Sequence, residues 1–271
     1  MYRNLFFVIV SLIILTACEE VIQVDLNSAE PGFVVEAKIY TDSVCQVHLT
    51  RTNDYFSQEE PDFIENARVF ISDQTSTEEL SYIADGNYKG ETIIGTENTS
   101  YKIEILYDGK TYMAESVMPE RTEIKSVMFF KYNSQSIFNP KGEIVFTISV
   151  EFVDNPDTDN YYMIRFISDD KLLEKRYFLI TEKDANGGSL SNLTNNTYLF
   201  SESIFTTGGE VDVQLFSIDE FTYTYFFSLD DILFWKRRLM PPTPYNPQSN
   251  INDAMGYFAA LGYASEKIVL E

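Results

Sequence analysis

From Phe33 onward, apolar and polar residues alternate along most of the chain in short stretches separated by turn residues. Residues 33–40 and 44–51 read as the first two strands. In the second, Cys45, Val47 and Leu49 share one face, while Val44, Gln46 and His48 share the other. Ala67, Val69 and Ile71 alternate in a third stretch, and Asp85, Gly86 and Asn87 form a turn ahead of Tyr88. Thr99 to Leu106 is predicted as another strand. Tyr107 to Tyr112 is predicted as a hairpin through Asp108 and Gly109, a pair suited to the left-handed backbone of a tight turn. Strands of this length and spacing predict a β-sandwich over residues 33–119, closed by Pro119. Tyr101 precedes the alternating Ile103 and Ile105. It is either a latch whose phenol ties down a loop or an ordinary strand aromatic.

A second β-rich portion is predicted for residues 120–271. Strands are expected at 124–132, 143–153, 161–167 and 175–181, with an acidic turn at 154–160 and a loop at 182–196. One segment changes period. Ile218, Phe221, Tyr225, Leu229 and Ile232 recur at helical spacing, which predicts a helix near 218–239. Ser217 and Glu220 have the order of a capping box, Lys236 to Arg238 suit the carbonyl end, and Pro241 and Pro242 stop the helix. Thr222 to Phe227 has high strand propensity and argues against it. The fold class expected is therefore mainly β, two antiparallel portions with one packed helix.

The N-terminus follows a different logic. Arg3 precedes an apolar run from Leu5 to Leu15, too short for the roughly 20 residues of a membrane span and suited to a signal-peptide core. Leu15, Thr16, Ala17 and Cys18 follow and resemble the bacterial lipobox. That resemblance implies cleavage between Ala17 and Cys18 and a lipid on the Cys18 thiol, with residues 1–17 as signal and 18–32 as tether. Several acyl chains on one residue anchor stably, where one would hold only marginally. The alternative is an ordinary secretory signal with a chance cysteine. Glu19 and Glu20 resemble the acidic signal that sends Bacteroidota lipoproteins to the outer face of the outer membrane, or are a solvated tether.

Composition narrows the chemistry. The 271 residues carry 20 Lys and Arg against 42 Asp and Glu, a formal charge of −22, which disfavours a nucleic-acid partner. The hydrophobic share of 44% argues against disorder. With 2 cysteines and 1 histidine, zinc sites and His-based triads have few candidates. Once Cys18 is acylated, Cys45 has no disulfide partner and reads as a buried small hydrophobe. His48 reads as a solvated strand residue. Asp154, Asp157 and Asp159 could offer oxygens to Ca²⁺ but lack the glycine and distal glutamate of an EF-hand loop, so an acidic turn is the reading adopted. No catalytic residue, cofactor or metal is assigned. The Pro-rich segment from Met240 to Ser249 is the surface candidate for partner contact, through Pro242, Pro244, Tyr245 and Asn250, or else a rigid loop after the helix.

The order of features resembles a Bacteroidota outer-membrane lipoprotein family of unknown function, whose genes often lie beside TonB-dependent receptors. The resemblance rests on Cys18, on Phe33 to Ala37, His48 to Thr52, Tyr55 and Phe56, and Asn66 to Val69. It continues through Asp159 to Tyr162, Phe200 to Phe205, and a closing motif of Ser249 to Asn252 with Met255 to Phe258; Ala254 stands where glycine is more usual. The resemblance implies an immunoglobulin-like or transthyretin-like first portion and no known activity. The function expected is a non-enzymatic, lipid-anchored outer-membrane accessory of such a receptor. A surface adhesin or polysaccharide-binding protein is the alternative, and a hydrolase the third reading.

Overall fold

Sixteen strands and one helix are seen among the described residues, which in this computed structural model are 32–53, 61–133, 144–153, 159–168, 171–173, 177–181, 194–201, 208–233 and 245–270. The first portion supplies β1 (Phe33–Tyr40), β2 (Val44–Arg51), β3 (Arg68–Ser72), β4 (Thr77–Glu79), β5 (Ser81–Ala84), β6 (Asn87–Ile94), β7 (Ser100–Tyr107) and β8 (Lys110–Val117). The second supplies β9 (Ile124–Asn133), β10 (Ile144–Phe152), β11 (Tyr161–Ser168), β12 (Lys171–Leu172), β13 (Phe178–Thr181), β14 (Thr194–Ser201), β15 (Glu210–Ile218), α1 (Glu220–Leu233) and β16 (Met255–Val269). The mainly-β class expected from the alternation is the class observed.

A nine-stranded sheet runs in the order β12-β11-β15-β16-β1-β2-β6-β5, with β13 also on β11. The four-stranded sheet β4-β3-β7-β8 and the three-stranded sheet β14-β10-β9 complete the layers. Val35, Ala37 and Ile39 of β1, Cys45, Val47 and Leu49 of β2, and Phe258 and Ala260 of β16 pack with Val69, Ile71, Ile103 and Ile105 of the four-stranded sheet. Val211, Val213 and Leu215 of β15 and Ile164 and Phe166 of β11 pack with Ile148, Val150 and Phe152 of β10. In register, Ala37 faces Phe258 and Leu215 faces Ala264, so both cores lie on one face of the long sheet. The opposite face carries Met163, Phe216, Ile218, Ala259 and Leu261, covered by Phe226 of α1.

The two small sheets therefore sit side by side under one long sheet, and β16 joins the halves. Val34 to Tyr40 pair in parallel with Met255 to Leu261, so the boundary expected at 119/120 is crossed by a ladder, and residues 31–271 cluster as one unit. From Gly262 to Val269 the same strand pairs antiparallel with β15 instead. The change of partner occurs between Leu261 and Gly262, leaving each half of β16 with one edge that no strand pairs among the described residues.

Local chemistry explains the strand ends. Asp85 and Gly86 (φ 48° and 73°) and Asp108 and Gly109 (φ 48° and 71°) form the left-handed pairs that close the β5–β6 and β7–β8 hairpins. Tyr101, 1% exposed, accepts a hydrogen bond from the Thr96 N–H at 2.7 Å and donates to the Ile94 carbonyl at 3.3 Å. It is the latch. The helix cap differs from expectation. Asp219 rather than Ser217 caps α1, its Oδ1 accepting from the Thr222 N–H at 2.7 Å. Ser217 remains in β15, and its Oγ accepts from the Thr122 N–H at 3.1 Å. Residues 194–196, expected in a loop, open β14, and the cationic end expected for the helix at 236–238 lies outside the described residues.

Candidate functional site

The two open half-edges of β16 are treated differently. Backbone N–H and C=O groups of alternate residues point to opposite sides of a strand. In the first half, residues 258 and 260 point away from β1. Asn250 accepts from the Phe258 N–H at 2.9 Å and donates to the Phe258 carbonyl at 2.8 Å, replacing a strand partner. Ser116 Oγ accepts from the Ala260 N–H at 3.0 Å and donates to Asp219 at 3.0 Å, which ties β16, β8 and the helix cap together. Asn252 repeats the device on β8, where its Oδ1 accepts from the Met113 N–H and its amide donates to the Thr111 carbonyl at 3.2 Å. Between them, Ile251 is buried in the first core. Gly256 has φ 98°, and a Cβ there would lie 1.9 Å from the Val35 carbonyl oxygen, so only glycine lets β16 approach β1.

In the second half, the groups of residues 263 and 265 point toward the side that β1 has left. Thr41, just past β1, donates its N–H to the Leu261 carbonyl at 3.0 Å, and its Oγ1 accepts from the Tyr263 N–H at 3.3 Å. Beyond that point a cleft of about 690 Å³ opens. Tyr40, Phe216 and Tyr263 form an aromatic wall, with ring centroids 5.7, 5.7 and 5.4 Å apart pairwise. The β1–β2 turn (Thr41, Asp42, Ser43), the linker residues Arg121 and Glu123, Ile124 at the start of β9, and Gln214, Ala264 and Ser265 complete the lining. Tyr263 and Ser265 face one side of the sheet and Ala264 the other, so the cleft wraps the open edge.

The linker is held where it crosses β16. A Cβ on Gly262 would lie 3.0 Å from the Arg121 Cα and the Pro119 oxygen, so the glycine admits the crossing chain. Arg121 Nη1 donates to Asp42 at 2.7 Å, and its Nε lies 2.9 Å from Glu97 as an ion pair. The hydrogen bond to Asp42, that carboxylate's charge, and the nearby Glu97 and Glu123 hold the guanidinium above its already high pKa. It is a fixed charge that orients the cleft rather than a proton donor.

A second polar hollow of about 240 Å³ lies on the helix face of the long sheet, lined by Glu36, Lys38, Gln46, His48, Asn87 and Tyr257. His48 is opposite Glu36 in register, with Nδ1 3.2 Å from Oε2, and its ring lies 5.9 Å from Phe63. It is the surface strand residue expected. Burial, then the Glu36 charge, pushes the Tyr257 phenol well up and Tyr225 up to about 12. These phenols stay protonated and pack as an aromatic cluster with Phe226. Cys45 is a free, buried thiol, pushed up to about 12 by burial and then by Glu78. Among the described residues, no group of three or more His, Cys, Asp or Glu converges to hold a metal ion.

Ala17, Cys18, Pro242 and Pro244 lie outside the described residues, as do Asp154 and Asp157. Tyr245 is exposed and lies 3.5 Å from the Ser228 carbonyl of α1. Asn250 uses both amide groups on Phe258 and stands apart from the cleft, as a positioning residue. Tyr40, Thr41, Arg121, Tyr263 and Ser265 were not singled out by sequence.

Residues 19–267 match the sequence family described as Domain of unknown function (DUF4249). The chain belongs to that family. No curated protein matches it. The DUF4249 match covers the long sheet, both small sheets, α1 and the cleft. No helix among the described residues is long and apolar enough to cross a membrane.

Proposed function

We propose that this DUF4249 protein is a lipid-anchored, non-enzymatic accessory of an outer-membrane TonB-dependent receptor, and that the cleft beside β16 is where it captures its binding partner. The observation that carries this reading is the cleft itself: an aromatic wall, an open strand edge and an arginine fixed between two carboxylates. Such a set is suited to recognising and orienting a partner. Attachment at Cys18 would confine the protein to the membrane plane and raise its effective concentration beside a receptor. The formal charge of −22 suits an exposed envelope protein.

The test is purification of the full chain from detergent-solubilised membranes. The expected result is a β-barrel receptor co-purifying with the wild type and lost on Tyr263→Ala, with Cys18→Ser moving the protein to the soluble fraction. An unmodified Cys18 or a chain that purifies without a receptor overturns the reading. The polysaccharide-binding alternative draws on the Tyr40 and Tyr263 rings, which could stack on sugars. Glycan-array binding that Tyr263→Ala abolishes would favour it.

A further inference from the structure

We propose that the open half-edge of β16 is a strand-addition site, which an extended, cationic segment of a protein partner completes. This rests on the cleft being the capture site and names the partner's form. Where β16 leaves an edge open elsewhere, side chains fill it: Asn250 at Phe258, Ser116 at Ala260, and Thr41 at Tyr263. At the next step the pattern stops. The Tyr263 carbonyl and the Ser265 N–H and carbonyl point to the side β1 has left, and among the described residues no strand pairs there. Two acceptors and a donor in register are the recognition chemistry of another extended backbone.

The rest of the site agrees. At the ends of the long sheet, β5, β12 and β13 are short, the usual way an edge is blunted. The second half of β16 instead runs from Gly262 to Val269, and Ser265, Glu266 and Lys267 are exposed. The cleft reaches both faces of this edge, giving room for side chains that alternate up and down from an added strand. Arg121 is already compensated by Asp42 and Glu97, while Glu123 lines the cleft and Glu266 follows Ser265. The local balance is acidic, as is the whole chain, so the complementary segment carries Lys or Arg.

The test immobilises the full chain in detergent and selects binders from a displayed library of random peptides about ten residues long. Enriched peptides should carry Lys or Arg. N-methylation of alternate amides should abolish binding in one phase and leave it intact in the other, because only one edge of the peptide faces β16. Ser265→Pro removes the open-edge N–H without touching the β15 ladder and should weaken binding by at least about tenfold. The peptide-phase experiment stands even if that variant folds poorly. Binding insensitive to methylation phase but lost on Tyr263→Ala overturns strand addition and leaves capture in the cleft intact. Binding unaffected by Tyr263→Ala and by Ser265→Pro overturns both. Failure to enrich any peptide, or concentration-dependent self-association through this edge, overturns the proposed partner.

Discussion

Asn250→Ala should destabilise the protein far more than truncation of a surface amide. Asn250 is half-buried, but the residue it serves, Phe258, is fully buried in the first core. Removing the amide strips the Phe258 N–H and carbonyl of partners at 2.9 and 2.8 Å. An unsatisfied buried polar group costs about 1–3 kcal/mol, and partial access for water at the vacated position reduces the combined loss to about 2–4 kcal/mol. For a unit of this size that corresponds to a fall in Tm of about 4–16 °C. Thermal unfolding followed by circular dichroism measures it, with Asn246→Ala as the nearby exposed control. A fall of less than about 1 °C would refute the reasoning and return Asn250 to the pool of partner contacts.

Gly256→Ala forces a side chain against the Val35 carbonyl at a positive φ, so we expect loss of folded protein, read as recovery in the soluble fraction after Cys18→Ser. Tyr101→Phe removes the latch on Thr96 and Ile94 and should cost about 1–3 kcal/mol in denaturant unfolding. Cys45 should resist thiol reagents at pH 8 until the chain is unfolded. Its folded pKa is raised, so the unfolded thiol releases its proton first as pH climbs. Stability should therefore fall across the window from the ordinary thiol value to about 12, and Cys45→Ala should remove that slope.

Period-two alternation made β1, β2, β3, β7 and β8 readable, because each has one face in a core, whereas β4 and β5 bury no residue and carry no such pattern. The Asp-Gly pairs gave the hairpins, and the buried Cys45 face followed from Val47 and Leu49. The longest strand, β16, was not readable. Residues 258–262 are buried on both faces, and Ala259, Ala260 and Gly262 carry neither alternation nor β-branched character. Its parallel pairing with β1 joins positions more than 200 residues apart, which no local pattern encodes. The helix was found from spacing, yet its cap was misplaced by two residues because Ser217 serves the linker instead. The cleft was hidden for a related reason. Its wall comes from Tyr40, Phe216 and Tyr263, brought together only when β16 changes partner.

That change of partner is the centre of the account, and amide hydrogen exchange at adjacent residues of β16 tests it most directly. The Ala264 N–H points into the ladder with β15, whereas the Ser265 N–H points into the cleft. In the free protein, Ser265 should exchange at least about 100-fold faster than Ala264 and slow when a partner strand is bound. Equal protection of the two amides in the free protein would mean that the edge is already paired, and would contradict the site proposed here.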